Sequence, residues 1–169
     1  FDPTNIEKNA KLLAPIEAQA LTPPTAVTRL GSMVLAERSG RSRLVDLLAI
    51  DGTYPLYGAV FTDPPHAFEA FGHTPRGVFL DTSLMIQLDL RVGDTIRIGS
   101  ESFEVVAGVV KAPGRFGFQA EVAPRVFMTK RDLDRTGLVT LGSLVTHLRY
   151  FKLPGGAAER PARAAADGP

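Results

Sequence analysis

With 169 residues, an apolar fraction of 44% and a net charge of +1, the chain is sized for one domain or two small ones around a real core. It has no cysteine, which excludes disulfides, thiolate nucleophiles and cysteine-based zinc sites. Its near-neutral balance supplies no basic face for nucleic acid and no acidic tail for a basic partner. No apolar run approaches the roughly 18 residues of a transmembrane helix, and no signal peptide is visible. The first residue is Phe1 rather than Met, so a segment or a processed form is expected.

Taken in order, Phe1–Ala20 reads as a helix. Asp2 is placed to cap it, Pro3 fits its first position, and Pro15 is expected to end or kink it near Leu13. Pro23-Pro24 is a connector. Ala26–Ala36 and Arg43–Ile50 read as strands joined by a polar turn containing Gly40, a hairpin expected to pack with the helix as an α/β layer. Gly31 inside the first strand suggests a bulge or a close backbone approach. Asp51–Gly58 (DGTYPLYG) is a turn with two tyrosines around Pro55-Leu56. Pro64-Pro65 opens a short helix over His66–Phe71, Val78–Leu80 is a short strand, and Asp81 or Thr82 caps a helix over about Ser83–Leu88.

The stretch Asp89–Lys111 organises the rest of the chain. Thr95–Ile98 alternates, Gly99-Ser100 is compatible with a tight hairpin, and Phe103–Val110 is a near-continuous β-branched run that reads as a buried strand. Ala112–Val122 is a loop carrying Phe116 and Phe118. Arg125–Thr129 reads as a strand, Lys130–Thr136 as a helix stopped by Gly137, and Ser143–Leu153 as a final strand. From Pro154 the chain holds no large apolar residue and is expected to be a flexible tail over 154–169.

Little of this points to catalysis. His66, His73 and His147 do not match a zinc spacing, and no G-x-S-x-G elbow, Walker A pattern or G-x-G-x-x-G run is present. Ser32 lacks the strand-to-helix setting of a nucleophile. Asp51 reads as a turn opener and Asp81 as a helix cap rather than as an acid–base pair. Two features stand out, the tyrosine turn and the APGRFGF loop. Aromatics in such loops either pack back on the domain or form a contact surface for protein or lipid. The candidate contact residues are Tyr54, Leu56, Tyr57, Arg115, Phe116 and Phe118.

The set Arg43–Gly58 (RLVDLLAIDGTYPLYG), Gly77–Thr95, Phe103–Val109 and Pro124–Leu133 (PRVFMTKRDL) resembles the extracytoplasmic domain of FtsX-like ABC transporter permeases. This is the MacB-like periplasmic core domain, here of the YbbP-type branch with its YPLYG turn, often described with lysophospholipase- or arylesterase-associated export. The resemblance spans about Phe1 to Leu153. It implies an α+β fold, with a porter-like α/β part (1–50 plus 142–153) and an inserted, mostly β, small barrel-like subdomain (51–141). It also implies a periplasmic location, no cofactor, no metal, and an ATPase in a separate cytoplasmic subunit.

On that reading the domain couples ATP hydrolysis to export or extraction of hydrophobic, lipid-like molecules, or transmits force to a periplasmic partner. The full-length permease is then expected to be a homodimer and this segment alone a monomer. Two other readings stay open from the residues themselves: a freestanding α/β hydrolase or ligand-binding domain, and a small β-barrel scaffold for protein assembly.

Overall fold

In the computed structural model the described residues are 13–113, 123–140 and 142–154. Residues 13–17 belong to a helix, α1, and lead into an extended connector. Strands β1 (Thr25–Ala36) and β2 (Ser42–Asp51) form a long antiparallel hairpin. Then come β3 (Phe61–Asp63), a 3-10 turn at Ala67–Ala70, β4 (Gly77–Asp81) and helix α2 (Thr82–Leu88). Next are β5 (Thr95–Ile98), β6 (Glu101–Lys111), β7 (Arg125–Thr129), helix α3 (Lys130–Arg135) and β8 (Thr146–Tyr150).

Six strands close on themselves in the order β1-β2-β7-β4-β6-β5 and back to β1. The β2–β7 and β4–β6 pairings are parallel, and the other four are antiparallel. Closure removes the free edges that an open sheet of these short strands would expose. The fold is therefore mixed α and β, dominated by a small barrel. β1 and β2, from the first of the two expected parts, share that barrel with β4–β7 from the second.

Alternation decides which side chains fill the barrel. From β1, Leu30, Val34 and Ala36 point in, and from β2, Val45, Leu47 and Ala49. They meet Val78 and Leu80 of β4, Ile96 and Ile98 of β5, Phe103 and Val105 of β6, and Val126 and Met128 of β7. Leu84 and Leu88 of α2 and Leu133 of α3 join the same core. β4 and β7 run antiparallel, so the helices after them leave at opposite ends of the barrel.

The outward residues of β4 and β7 are buried too. Phe79 and Phe127 lie opposite each other and belong to a second apolar cluster with Val27, Ile50, Ala107, Val109 and Ala112. Burial on both faces fits the consecutive apolar residues Val78–Leu80 and Val126–Met128 of these strands.

Several expectations are corrected. α1 continues past Pro15, because the Ala14 carbonyl still accepts from the Ala18 amide at 3.0 Å and proline forfeits only its own donor. Asp2 and Pro3 lie outside the described residues. Gly31 forms neither a bulge nor a close approach: the β1–β2 register runs through it without a shift, and a Cβ there would meet nothing within 4 Å. The last strand is shorter than expected, Thr146–Tyr150, and β3 carries no signal long enough to read. The hairpin of β1 and β2 forms barrel staves rather than a layer under the first helix.

Asp81 stands at the N-cap of α2 without a side-chain cap bond. Its carboxylate turns to Arg125 of β7, accepting from the backbone amide at 2.8 Å and from Nε and a terminal guanidinium nitrogen at 3.4 Å. Both side chains are less than a tenth exposed, and the guanidinium lies 5.1 Å from the Phe127 ring centre. Removing one partner strands a buried charge. Asp81→Asn is expected to cost about 3–5 kcal/mol in urea unfolding, and replacing both residues with apolar ones of similar size is expected to cost less than either single change.

The two glycines at contrasting positions make a second test. Gly99, in the β5–β6 turn, has φ +59° and a Cβ would lie 2.3 Å from the Thr136 carbonyl, whereas Gly31 faces open space. Gly99→Ala should therefore lose more than about 1 kcal/mol, and Gly31→Ala should gain roughly 0.5–1 kcal/mol, both read from denaturation midpoints.

Candidate functional site

The tyrosine turn is built back onto the barrel. Tyr54 reaches over the outer face of β4 and β7, its ring 6.3 Å from Phe68 and 6.2 Å from Phe127. Phe68 stacks on Phe71 at 4.9 Å and meets Phe79 edge-on at 5.1 Å. Such tilted and edge-to-face pairs add to burial. The Tyr54 hydroxyl donates to the Pro113 carbonyl at 3.4 Å, and a Cβ on Gly58 would lie 3.5 Å from the Pro113 ring. The turn thus lies against the last described residue before 114–122.

Leu56 and Tyr57 are half-buried, and the Tyr57 hydroxyl bridges to Leu153, accepting from its amide at 3.2 Å and donating to its carbonyl at 3.5 Å. The structure therefore docks Tyr54 on the outer face of the barrel and ties Tyr57 to the segment after β8, with Leu56 between them in the turn. Arg115, Phe116 and Phe118 lie outside the described residues.

A tether region, which the residue pattern did not reveal, lies beside that turn. The incoming segment and the outgoing segment run side by side. Thr25 pairs with Tyr150 and Ala26 with Arg149, the Leu21 amide donates to the Lys152 carbonyl at 2.8 Å, and Arg149 meets Glu17 at 3.0 Å. Only pairing over more than a hundred residues of separation creates this arrangement, and local periodicity carries no information about it.

On the outer face of β1 and β2, Arg29 holds Asp46 through Nε at 2.8 and 2.7 Å and through a terminal nitrogen at 2.6 Å. That hydrogen bond lifts the Arg29 pKa above its already high ordinary value. The pair borders a shallow cavity of about 250 Å³, completed by Leu30, Gly31, Leu144 and Val145. Thr146 also lines this groove, and within it the charges of Arg29 and Asp46 satisfy each other. Among the described residues no cluster of three His, Asp or Glu could hold a metal, and no helix is long and apolar enough to cross a membrane.

At the other end, the β1–β2 turn is fastened to the loop after α2. Arg38 pairs with Asp94 at 3.1 Å, and Ser39 Oγ donates to the Leu88 carbonyl at 3.0 Å. Nearby, Glu37 accepts from Ser102 Oγ at 2.7 Å and pairs with Arg97 at 3.3 Å, linking the end of β1 to β5 and β6.

The Ser102 hydrogen bond, aided by Arg97, lowers the Glu37 pKa below its ordinary 4.5. The folded state therefore binds the Glu37 proton less readily than the unfolded chain. The associated stabilisation is present above about pH 4.5 and is lost as pH falls through the lowered value. Wild type and Ser102→Ala should accordingly differ in melting temperature at neutral pH and converge below that window.

No family model matches the chain. Over 106 residues it is 36% identical to YbbP, described as an uncharacterized ABC transporter permease, of Escherichia coli (strain K12). The match takes in 62% of this chain and only 12% of the permease. The periplasmic region of MacB from Actinobacillus actinomycetemcomitans shares the fold with a TM-score of 0.56 at 12% identity, over 85% of this chain and 64% of that one. The extracellular domain of the noncanonic ABC-type transporter YknZ from Gram-positive bacteria does so with a TM-score of 0.54 at 11% identity, over 80% and 66%.

Proposed function

We propose a role for this chain that starts from its type, an extracytoplasmic domain of the FtsX-like, MacB-like permease kind: it carries movement from the permease body to a surface outside the membrane. In this reading a separate cytoplasmic ATPase supplies the energy, the full permease works as a dimer, and the domain itself is not an enzyme. Hydrophobic or lipid-like molecules are the cargo class we favour, handled by the turn that bears Leu56 and Tyr57, with Arg115, Phe116 and Phe118 as the further contact residues the sequence offers. Tyr54 anchors that turn through its ring contacts.

The observation that carries the reading is the tether region. Incoming and outgoing segments are bonded to each other and lead directly into β1 and β8. A displacement that both segments share reaches the barrel as a rigid-body movement. Pro23 and Pro24 stiffen the incoming side, since consecutive prolines favour an extended, semi-rigid backbone.

The test uses the full-length permease with its ATPase in nanodiscs containing acceptor-labelled lipid. A fluorophore on Arg41→Cys reports the distance of the β1–β2 turn from the membrane. Trapping the ATPase in a nucleotide-bound state should change the transfer efficiency in the otherwise wild-type complex. Pro23→Gly/Pro24→Gly should keep the ATPase rate and lose at least half of that change. An unresponsive wild-type complex, or a doubly substituted one that responds in full, sinks the reading.

A further inference from the structure

We infer that β8 is a force-released strap: shared movement of the two tethers leaves it in place, and separation of the tethers peels it from β1 before the barrel yields. The inference rests on the tether reading above and adds a second mechanical state to it.

The geometry of pairing carries the argument. β1 and β8 are antiparallel, with Thr25 opposite Tyr150 and Arg29 opposite Thr146. The incoming chain joins at Thr25 and the outgoing chain leaves at Tyr150, so both tethers attach at the same end of the pair. Pulling them apart opens the pair from that end, one rung after another. A load along the strands would instead strain all rungs together. The first bonds in line are the Tyr57–Leu153 hydrogen bonds, the Leu21–Lys152 backbone bond and the Arg149–Glu17 ion pair, all on the surface.

Among the described residues β8 pairs with no strand other than β1, and three of its five residues are exposed. β1 does not depend on it. On its opposite edge β1 pairs with β2 from Ala26 to Leu35, and near its C-terminal end Val34, Leu35 and Ala36 pair with β5. The barrel therefore remains closed when β8 leaves. Release would uncover the edge of β1 at Thr25–Arg29, together with Val27 and its neighbour Ile50, which Leu148 and Tyr150 help to cover.

The 169-residue chain can be tested directly in an optical trap, with handles on peptide tags at its two ends. A first low-force step is expected, reversible on relaxation, lengthening the chain by about 28 Å from residues 146–153 at roughly 3.3–3.6 Å each. Barrel unfolding should come as a separate, higher-force step. Leu148→Ala should lower the force of the first step and leave the second unchanged. In Thr28→Cys/His147→Cys, whose side chains face each other at 3.3 Å in wild type, oxidation should stop the peeling at that rung and shorten the first step to about 21 Å, the contour of residues 148–153, and reduction should restore its full length. Single-step unfolding of the wild-type chain, or a first step whose length is unchanged by oxidation of the cysteine pair, overturns the strap. Either result is independent of the nanodisc measurement, which judges the tether reading alone.

Discussion

The structure depends on β1 being long enough to serve two jobs on one edge. Its C-terminal end pairs with β5 and closes the barrel, while its N-terminal half pairs with β8 and receives the chain's outgoing segment. Its other edge is committed to β2 over almost its full length. A strand of ordinary length, about five or six residues, could close a barrel or dock a tether but not both. The twelve residues of β1 let barrel closure and the docking of β8 share one backbone.

Two outer layers then adapt the barrel. On one side, the excursion between β2 and β4 folds down over Phe79 and Phe127 and turns what would be a solvated face into a second apolar cluster. Between β4 and β7 the Asp81–Arg125 pair occupies a site where an apolar contact would also fit. Its cost is contained because the carboxylate also accepts from the Arg125 backbone, and no buried side-chain polar atom among the described residues is left without a partner. Burial and satisfaction proceed together here. The tyrosine turn is held firm by packing, and the exposed flank of that turn inherits a fixed position.

Much of this is legible in the residues. Thr95–Ile98, the Gly99-Ser100 turn and the long run after it read as a hairpin because alternation and turn chemistry agree there, and β5 and β6 form it. The stop after Thr136 is equally local, and α3 obeys it. The resemblance built on RLVDLLAIDGTYPLYG and its companion segments is matched by the similarity to an ABC transporter permease and by the shared fold. Whatever depends on distant partners is not legible: the ring closure through β1–β5 and β2–β7, the three-residue β3, and the diversion of Asp81 from capping to pairing. Gly31 misleads for the opposite reason. A glycine in a strand signals crowding or a bulge only when something approaches it, and here nothing does. Of the contact candidates, Tyr54 illustrates how an aromatic in a turn is ambiguous until the face it covers is known.

The position of β8 bears on how the chain is made. Synthesis delivers β1 well before β8, with the paired positions Thr28 and His147 separated by 119 in sequence. Until β8 emerges, one half of β1 has an open edge flanked by Val27, while the closed barrel can already have formed beside it. Long-range strand pairs of this kind form slowly, and unpaired edges are the places where nascent chains associate wrongly. Among the described strands, the order of synthesis therefore leaves the pairing of β8 as the latest step of assembly. The hydrophobic residues that complete it, Leu148 and Tyr150, arrive only when the rest of the domain is ready to receive them.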